Sequence, residues 1–162
     1  MCPLSFDHYS NAWAMACKYH EGQMYGDKPY TCHLNWVINS YESLFEKDWD
    51  ISCYECYDYT TIVVATLHDI LEDTDCTFEE IEKEFGVYVA DCISLLTKDI
   101  LSTREDYLNN IIVRKDEGDD IPWKVKVADA YSNLTESIEN NDTKRIHRYL
   151  DTLRILYSQQ EN

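Results

Sequence analysis

At 162 residues with 44% hydrophobic side chains, the chain is one domain long and can bury a core of its own. Its 31 acidic against 14 basic side chains leave a net charge of −17, which argues against non-specific binding to duplex nucleic acid, whose phosphates need cations. No apolar run reaches the ~18 residues of a membrane span, and the opening Met1-Cys2-Pro3-Leu4-Ser5-Phe6-Asp7 lacks the features of a secretion signal, so a cytoplasmic protein without a membrane partner is expected.

Ser5 to His20 reads as a first helix, with Ala12, Trp13, Ala16, Cys17 and His20 on one face. Glu21 to Pro29 breaks it with two Gly and a Pro. A second helix runs from about Tyr30 to Phe45, with His33, Val37, Tyr41 and Leu44 on one side. Glu46 to Cys53 is polar and reads as loop. Cys53-Tyr54-Glu55-Cys56 has CxxC spacing, but no second pair completes a zinc site, so two ordinary thiols are expected. The other cysteines are scattered, and in a cytosolic chain most are reduced.

A third helix spans roughly Tyr54 to Leu71. Thr77-Phe78-Glu79-Glu80 has the form of a capping box and starts a short fourth helix that stops at Gly86. Val87 to Leu96 makes a fifth. Thr103-Arg104-Glu105-Asp106 opens a sixth, which fades in the charged run Arg114 to Asp120. Pro122 suits the first turn of a seventh, which carries Trp123, Val127, Ala130, Tyr131 and Leu134. Asn140-Asn141-Asp142 breaks the chain before an eighth that runs to about Tyr157. No strand alternation and no internal repeat stands out. The expected architecture is all-α: a single bundle of about eight helices over residues 1–162.

Chemistry concentrates in Leu67-His68-Asp69-Ile70-Leu71-Glu72-Asp73-Thr74, directly after the apolar or small run Thr61 to Thr66. Four ionisable groups at the edge of a core segment would cost several kcal/mol if buried unpaired, roughly. A shared divalent ion removes that cost, and imidazole with carboxylate suits Mn²⁺, Fe²⁺, Zn²⁺ or Mg²⁺. Positions four apart share a helix face, so Glu72 is expected over His68 and Asp73 over Asp69. His33 and Asp129 sit on two other helices and complete a mixed nitrogen and oxygen set. A lone His on an apolar helix face is more often a satisfied core residue, and a lone Asp a solvated one; only the combination points to a metal.

The order His33, His68-Asp69, Asp129 resembles that of the HD-domain metal phosphohydrolases. The words around it narrow the likeness. His20-Glu21-Gly22-Gln23, Gly26-Asp27-Lys28-Pro29-Tyr30-Thr31-Cys32-His33, Leu67 to Thr74, Phe85-Gly86 and Lys126-Val127-Ala128-Asp129 are similar to the hydrolase domain of the RelA/SpoT homologue family. The match covers roughly residues 8 to 150. No synthetase or regulatory segment follows, so the likeness is strongest to the stand-alone small alarmone hydrolases.

The resemblance implies an enzyme that removes the 3′-pyrophosphate of (p)ppGpp with a divalent metal, usually Mn²⁺. It implies metal ligands His33, His68, Asp69 and Asp129, and a catalytic acidic pair Glu72 and Asp73 that handles the attacking water and the leaving oxygen. Asn133 would stand near the nucleotide sugar and Lys126 near phosphate. Arg104 and Tyr107 would contact phosphate and sugar, and Tyr149 with Arg145 or Arg148 would close the pocket. Many members carry an Arg shortly after the Gln of the first motif. Here Gln23 is followed by Met24-Tyr25, so Tyr25 and Tyr30 could frame a base instead, beside Lys28. Pro commonly follows the metal His in the family, and here Leu34 does.

Two other readings stay open. The metal site could serve another phosphorylated compound, such as a nucleoside monophosphate, NADPH or a cyclic nucleotide. Alternatively, the fold could act as a non-catalytic binder whose acidic surface meets a basic partner; an intact Glu72-Asp73 pair argues against that. The expected partner is a small nucleotide, and self-association is left open. The acidic charge otherwise serves solubility.

Overall fold

The computed structural model describes residues 4–45 and 58–158. Among them the chain forms nine helices and one small hairpin. In order these are α1 (Phe6–Tyr19), β1 (Met24–Tyr25), β2 (Lys28–Pro29), α2 (Tyr30–Phe45), α3 (Tyr59–Leu67), α4 (Ile70–Asp73), α5 (Phe78–Phe85), α6 (Val87–Leu96), α7 (Arg104–Asp116), α8 (Ile121–Glu139) and α9 (Thr143–Tyr157). No helix of the described residues is long and apolar enough to cross a membrane.

Helix α3 lies at the centre. Every residue from Thr61 to Leu67 is buried, as befits a helix that is apolar or small all round. It packs on α1, α2, α6 and α8, while α8 also carries α2, α7 and α9 against its other faces. Helix α5 shows the opposite pattern: Ile81 and Phe85 face inward and its glutamates face solvent. Its predicted capping box is present, with the Thr77 side chain accepting from the Glu80 amide and the Glu80 carboxylate accepting from the Thr77 amide.

The structure corrects three expectations. The third helix does not run to Leu71. It ends at Leu67, Asp69 leaves the helical path at φ −102° and ψ 0°, and a four-residue turn of helix restarts at Ile70. That restart makes α4 a separate element, in a bundle that otherwise follows the expected all-α architecture of about eight helices. The loop after α1 contains a two-stranded hairpin, with Met24 opposite Pro29 and Tyr25 opposite Lys28. Strands of two residues are too short to leave an alternation in the sequence. Cys17, read on one face with the buried Ala12 and Ala16, is exposed. The expected loop at Glu46 to Cys53, the start of the third helix at Tyr54 and the Cys53-Cys56 pair lie outside the described residues.

Gly86 joins α5 to α6 at φ 86° and ψ 161°, a region essentially reserved for glycine. A Cβ there would touch nothing within 4 Å, so the backbone alone sets the cost of replacing it. Gly86→Ala is expected to lower stability by about 1–3 kcal/mol, read as a shift of the denaturant midpoint with an unchanged slope.

Candidate metal centre and its flanking clefts

Three segments meet over the centre of the bundle. Helix α2 contributes His33, the break between α3 and α4 contributes His68 and Asp69, and α8 contributes Asp129. His33, His68 and Asp129 are 1%, 2% and 6% exposed. One ligand atom from each of these three lies within 4.8 Å of the others. His33 Nε2 stands 3.5 Å from Asp129 Oδ1 and 3.6 Å from Asp69 Oδ2. His68 Nε2 stands 2.8 Å from Asp69 Oδ2 and 3.8 Å from Asp129 Oδ1.

The break explains why His68 and Asp69 face the same point. Neighbouring residues of a continuous helix diverge by about 100°. The turn at Asp69 undoes that divergence. It also removes the expected stacking of Glu72 over His68, whereas Asp73 keeps its place one turn above Asp69, its amide donating to the Asp69 carbonyl at 2.9 Å.

The donor set fits a divalent ion. Ligands bonded at about 2.1 Å lie about 3.0–3.4 Å apart, and the four observed separations bracket that range. His68 Nδ1 lies 2.8 Å from the Ala65 carbonyl, which can only accept, so Nδ1 carries the hydrogen. His68 Nε2 is buried with no aligned hydrogen-bond partner. That is how a ligating imidazole is held. Asp129 is oriented in turn. Asn133 Nδ2 donates to its carboxylate and to its backbone carbonyl, and Lys126 Nζ lies 2.9 Å from Oδ2. Lys126 and Asn133 flank Asp129 at three and four residues on one helix face.

Electrostatics follow from this crowding. Burial alone would depress His68, but the Asp69 and Asp129 carboxylates push it up to about 10. Against the opposing effect of burial, the imidazoles beside Asp69 hold its carboxyl well below the usual range, and Lys126 with His68 does the same for Asp129. Lys126, although buried, is held charged by Asp129.

The acidic pair splits around this centre. Glu72 is exposed and lines a cavity of about 210 Å³ between α7, α8 and α9, together with Lys98, Arg104, Lys126, Arg148 and Tyr149. Its carboxylate accepts a long hydrogen bond, 3.4 Å from the Lys98 amide. Asp73 points the other way. Its Oδ2 accepts from the Tyr30 hydroxyl at 2.8 Å, and its backbone carbonyl accepts from Gln23 Nε2 at 2.8 Å.

The residues expected to contact substrate fall into two groups. Arg104, Tyr107, Lys126, Arg148 and Tyr149 line the α7–α9 cavity. Within it the Arg104 guanidinium is taken by Asp151 at 2.8 Å, the Arg148 carbonyl and Thr152. The Tyr107 hydroxyl donates to the Leu96 carbonyl at 2.5 Å. On the hairpin side, the Tyr25 ring stacks on His33 with centroids 4.7 Å apart, and its hydroxyl donates to Asn133 at 2.6 Å. Arg145 rather than Arg148 reaches this cluster, donating to the Tyr25 hydroxyl at 2.6 Å and lying 2.6 Å from Glu136. Lys28 sits over the Trp36 ring at 4.7 Å, beside a groove of about 400 Å³ between α2 and α8.

The sequence alone points to no role for His20, Gln23 or Glu136, and sets Tyr30 beside a base. In the structure the Tyr30 hydroxyl lies on Asp69 and Asp73, its ring stacks on His20 at 4.5 Å, and His20 pairs with Gln23 at 2.7 Å. The available signal was their place inside the two motifs that precede His33.

No protein-family model matches the sequence. A guanosine-3′,5′-bis(diphosphate) 3′-pyrophosphohydrolase of Aquifex aeolicus is 54% identical over 41 residues, 25% of this chain and 6% of that protein. The proteins named guanosine-3′,5′-bis(diphosphate) 3′-pyrophosphohydrolase MESH1 match over longer stretches. The Danio rerio protein is 36% identical over 84 residues, 52% of this chain and 43% of that one. The Drosophila melanogaster protein is 30% identical over 125 residues, 76% of this chain and 66% of that one. The chain thus spans less than two thirds of the length of each of these relatives. A solved structure, described as a metazoan SpoT orthologue that hydrolyses ppGpp, superposes with a TM-score of 0.70 at 20% identity, over 99% of this chain and 92% of that one. The fold is therefore the all-α HD-domain fold, and the sequence is similar to those of the MESH1 and SpoT-type hydrolases.

Proposed function

We propose that this protein is a divalent-metal-dependent phosphohydrolase that removes the 3′-pyrophosphate of (p)ppGpp. One observation carries the reading: ligand atoms of His33, His68 and Asp129 gather within 4.8 Å of one another at a buried point, Asp69 lies against both imidazoles, and the Glu72 and Asp73 carboxylates follow directly in the chain. The named activity of the relatives supports the choice of substrate.

His33, His68, Asp69 and Asp129 would hold the ion, which we assign as Mn²⁺, and Asn133 and Lys126 would fix the Asp129 carboxylate. When bound, the ion supplies a Lewis acid for a phosphoryl oxygen and lowers the pKa of a water. Glu72 and Asp73 flank the position where that water and the scissile bond would lie. One carboxylate takes a proton as the water oxygen bonds to phosphorus. The other, entering as the protonated carboxylic acid, would give its proton to the ribose 3′ oxygen as the phosphorus–oxygen bond breaks and leave as the carboxylate. Tyr25 can stack a base, and Lys98 and Arg148 at the rim of the α7–α9 cavity can meet phosphate.

Purified protein supplied with Mn²⁺ is expected to release pyrophosphate from ppGpp, and Asp69→Ala to abolish that release. Glu72→Gln and Asp73→Asn are each expected to lower kcat by about 10²–10⁴. The same assay run on nucleoside monophosphates, NADPH and cyclic nucleotides separates this substrate from the alternatives. Activity that survives Asp69→Ala would remove the metal centre from the mechanism.

Metal binding also has a proton signature. In the metal-free chain His68 is raised from 6.5 to about 10. Its stabilising effect is therefore complete below the unfolded value and is lost as pH rises through the folded one. A ligating imidazole must shed that proton. Mn²⁺ affinity is therefore expected to rise with pH above neutrality, with proton release on binding. Calorimetry in buffers of different ionisation enthalpy counts the protons, and a count of zero contradicts His68 as a ligand.

A further inference from the structure

The two members of the acidic pair are held very differently. Glu72 projects toward an open cavity, with a long contact to the Lys98 amide. Asp73 is tied at both ends, by its side chain to Tyr30 and by its backbone carbonyl to Gln23. The Tyr30 hydroxyl touches two carboxylates at once, Asp69 Oδ2 at 2.6 Å and Asp73 Oδ2 at 2.8 Å. A phenol has one hydrogen to donate, so the two carboxylates compete for it.

The hydroxyl is itself fixed from three directions. The ring stacks on His20 with centroids 4.5 Å apart and planes 13° apart. Its edge meets the His33 ring at 5.5 Å. Its backbone amide donates to the Gln23 carbonyl at 3.0 Å. Gln23 Oε1 accepts from His20 Nδ1 and Gln23 Nε2 donates to the Asp73 carbonyl, so His20, Gln23, Tyr30 and Asp73 form a closed ring of contacts. Such closed polar networks fix the geometry of their members.

The geometry points to Tyr30 as a positioning residue that couples the metal ligand Asp69 to the catalytic carboxylate Asp73. This rests on the function proposed above. Tyr30 does not touch the reacting atoms. Its one hydrogen is shared between a carboxylate that would hold the ion and a carboxylate that would handle a proton. The orientation of each therefore depends on the other. His20 and Gln23 support this link from α1 and the loop after it. Glu72, outside the ring, is the member left free to adjust to substrate.

Tyr30→Phe is the test, because it keeps the ring on His20 and removes only the hydroxyl. We expect Mn²⁺ Kd to rise by about 10-fold or more, as for other partners of metal ligands. We expect kcat on ppGpp to fall by about 10- to 100-fold while KM moves by less than about threefold. In an Asp73→Asn background the same change should lower kcat little further, since the two would act through one link. A Tyr30→Phe protein that binds Mn²⁺ within about twofold of wild type overturns the inference. So does a full additional loss in the Asp73→Asn background. If wild-type protein turns over no ppGpp, the proposed substrate fails by itself, and the Mn²⁺ titration still decides the role of Tyr30.

Discussion

The structure is governed by one electrostatic constraint: imidazoles, carboxylates and an ammonium group occupy the middle of an apolar helical bundle. Left apart, each charge would cost several kcal/mol, roughly. Brought together they compensate one another, and the geometry of the bundle is what brings them together. Helix α3 is buried on every side and ends where Asp69 turns out of the helical path. That turn lets adjacent side chains address one point. Helix α8 supplies the opposing wall, with Lys126, Asp129 and Asn133 on a single face. The second half of this set exists to aim the first, as the bonds of Asn133 and Lys126 to Asp129 make plain.

The same break divides the work of the acidic pair. A continuous helix would have placed Glu72 above His68, as Asp73 still stands above Asp69. Instead one carboxylate looks into the cavity of α7 to α9, and the other is clasped by the hairpin side. The hairpin is only two residues per strand, yet it sets Tyr25 over His33 and delivers Gln23 to Asp73. Small elements here act on the centre through specific bonds rather than through buried area.

Much of this was legible in the sequence, for identifiable reasons. His33, His68, Asp69 and Asp129 stood out because ionisable groups followed apolar runs and because the surrounding words were family-like. The helices were legible from periodicity, and α5 from its capping box. The break at His68-Asp69 was not, since the apolar run from Thr61 to Leu67 resumes at Ile70-Leu71 and a single residue at a non-helical angle leaves no pattern. The choice between Arg145 and Arg148 was closed to the sequence too. They lie three apart on one helix face, and only the rotation of α9 against α8 decides which reaches Tyr25. Tyr107 looked like a ligand contact, but a carbonyl of the preceding helix, Leu96, already holds its hydroxyl. Pairing across long sequence separations is what composition and spacing do not encode.

Three of the cations around the centre are already matched by acids of the same chain: Arg104 by Asp151, Arg145 by Glu136, Lys126 by Asp129. An arriving anion therefore meets little bare positive charge beyond Lys98 and Arg148 at the cavity rim, in a molecule whose summed field at −17 repels it. Encounter must then proceed by short-range exchange, with one anion replacing another on a guanidinium, rather than by attraction over a distance. Dissolved salt screens the repulsion. Higher ionic strength should accordingly quicken the association of an anionic ligand, the reverse of the behaviour of proteins whose clefts draw in phosphates with unpaired lysines.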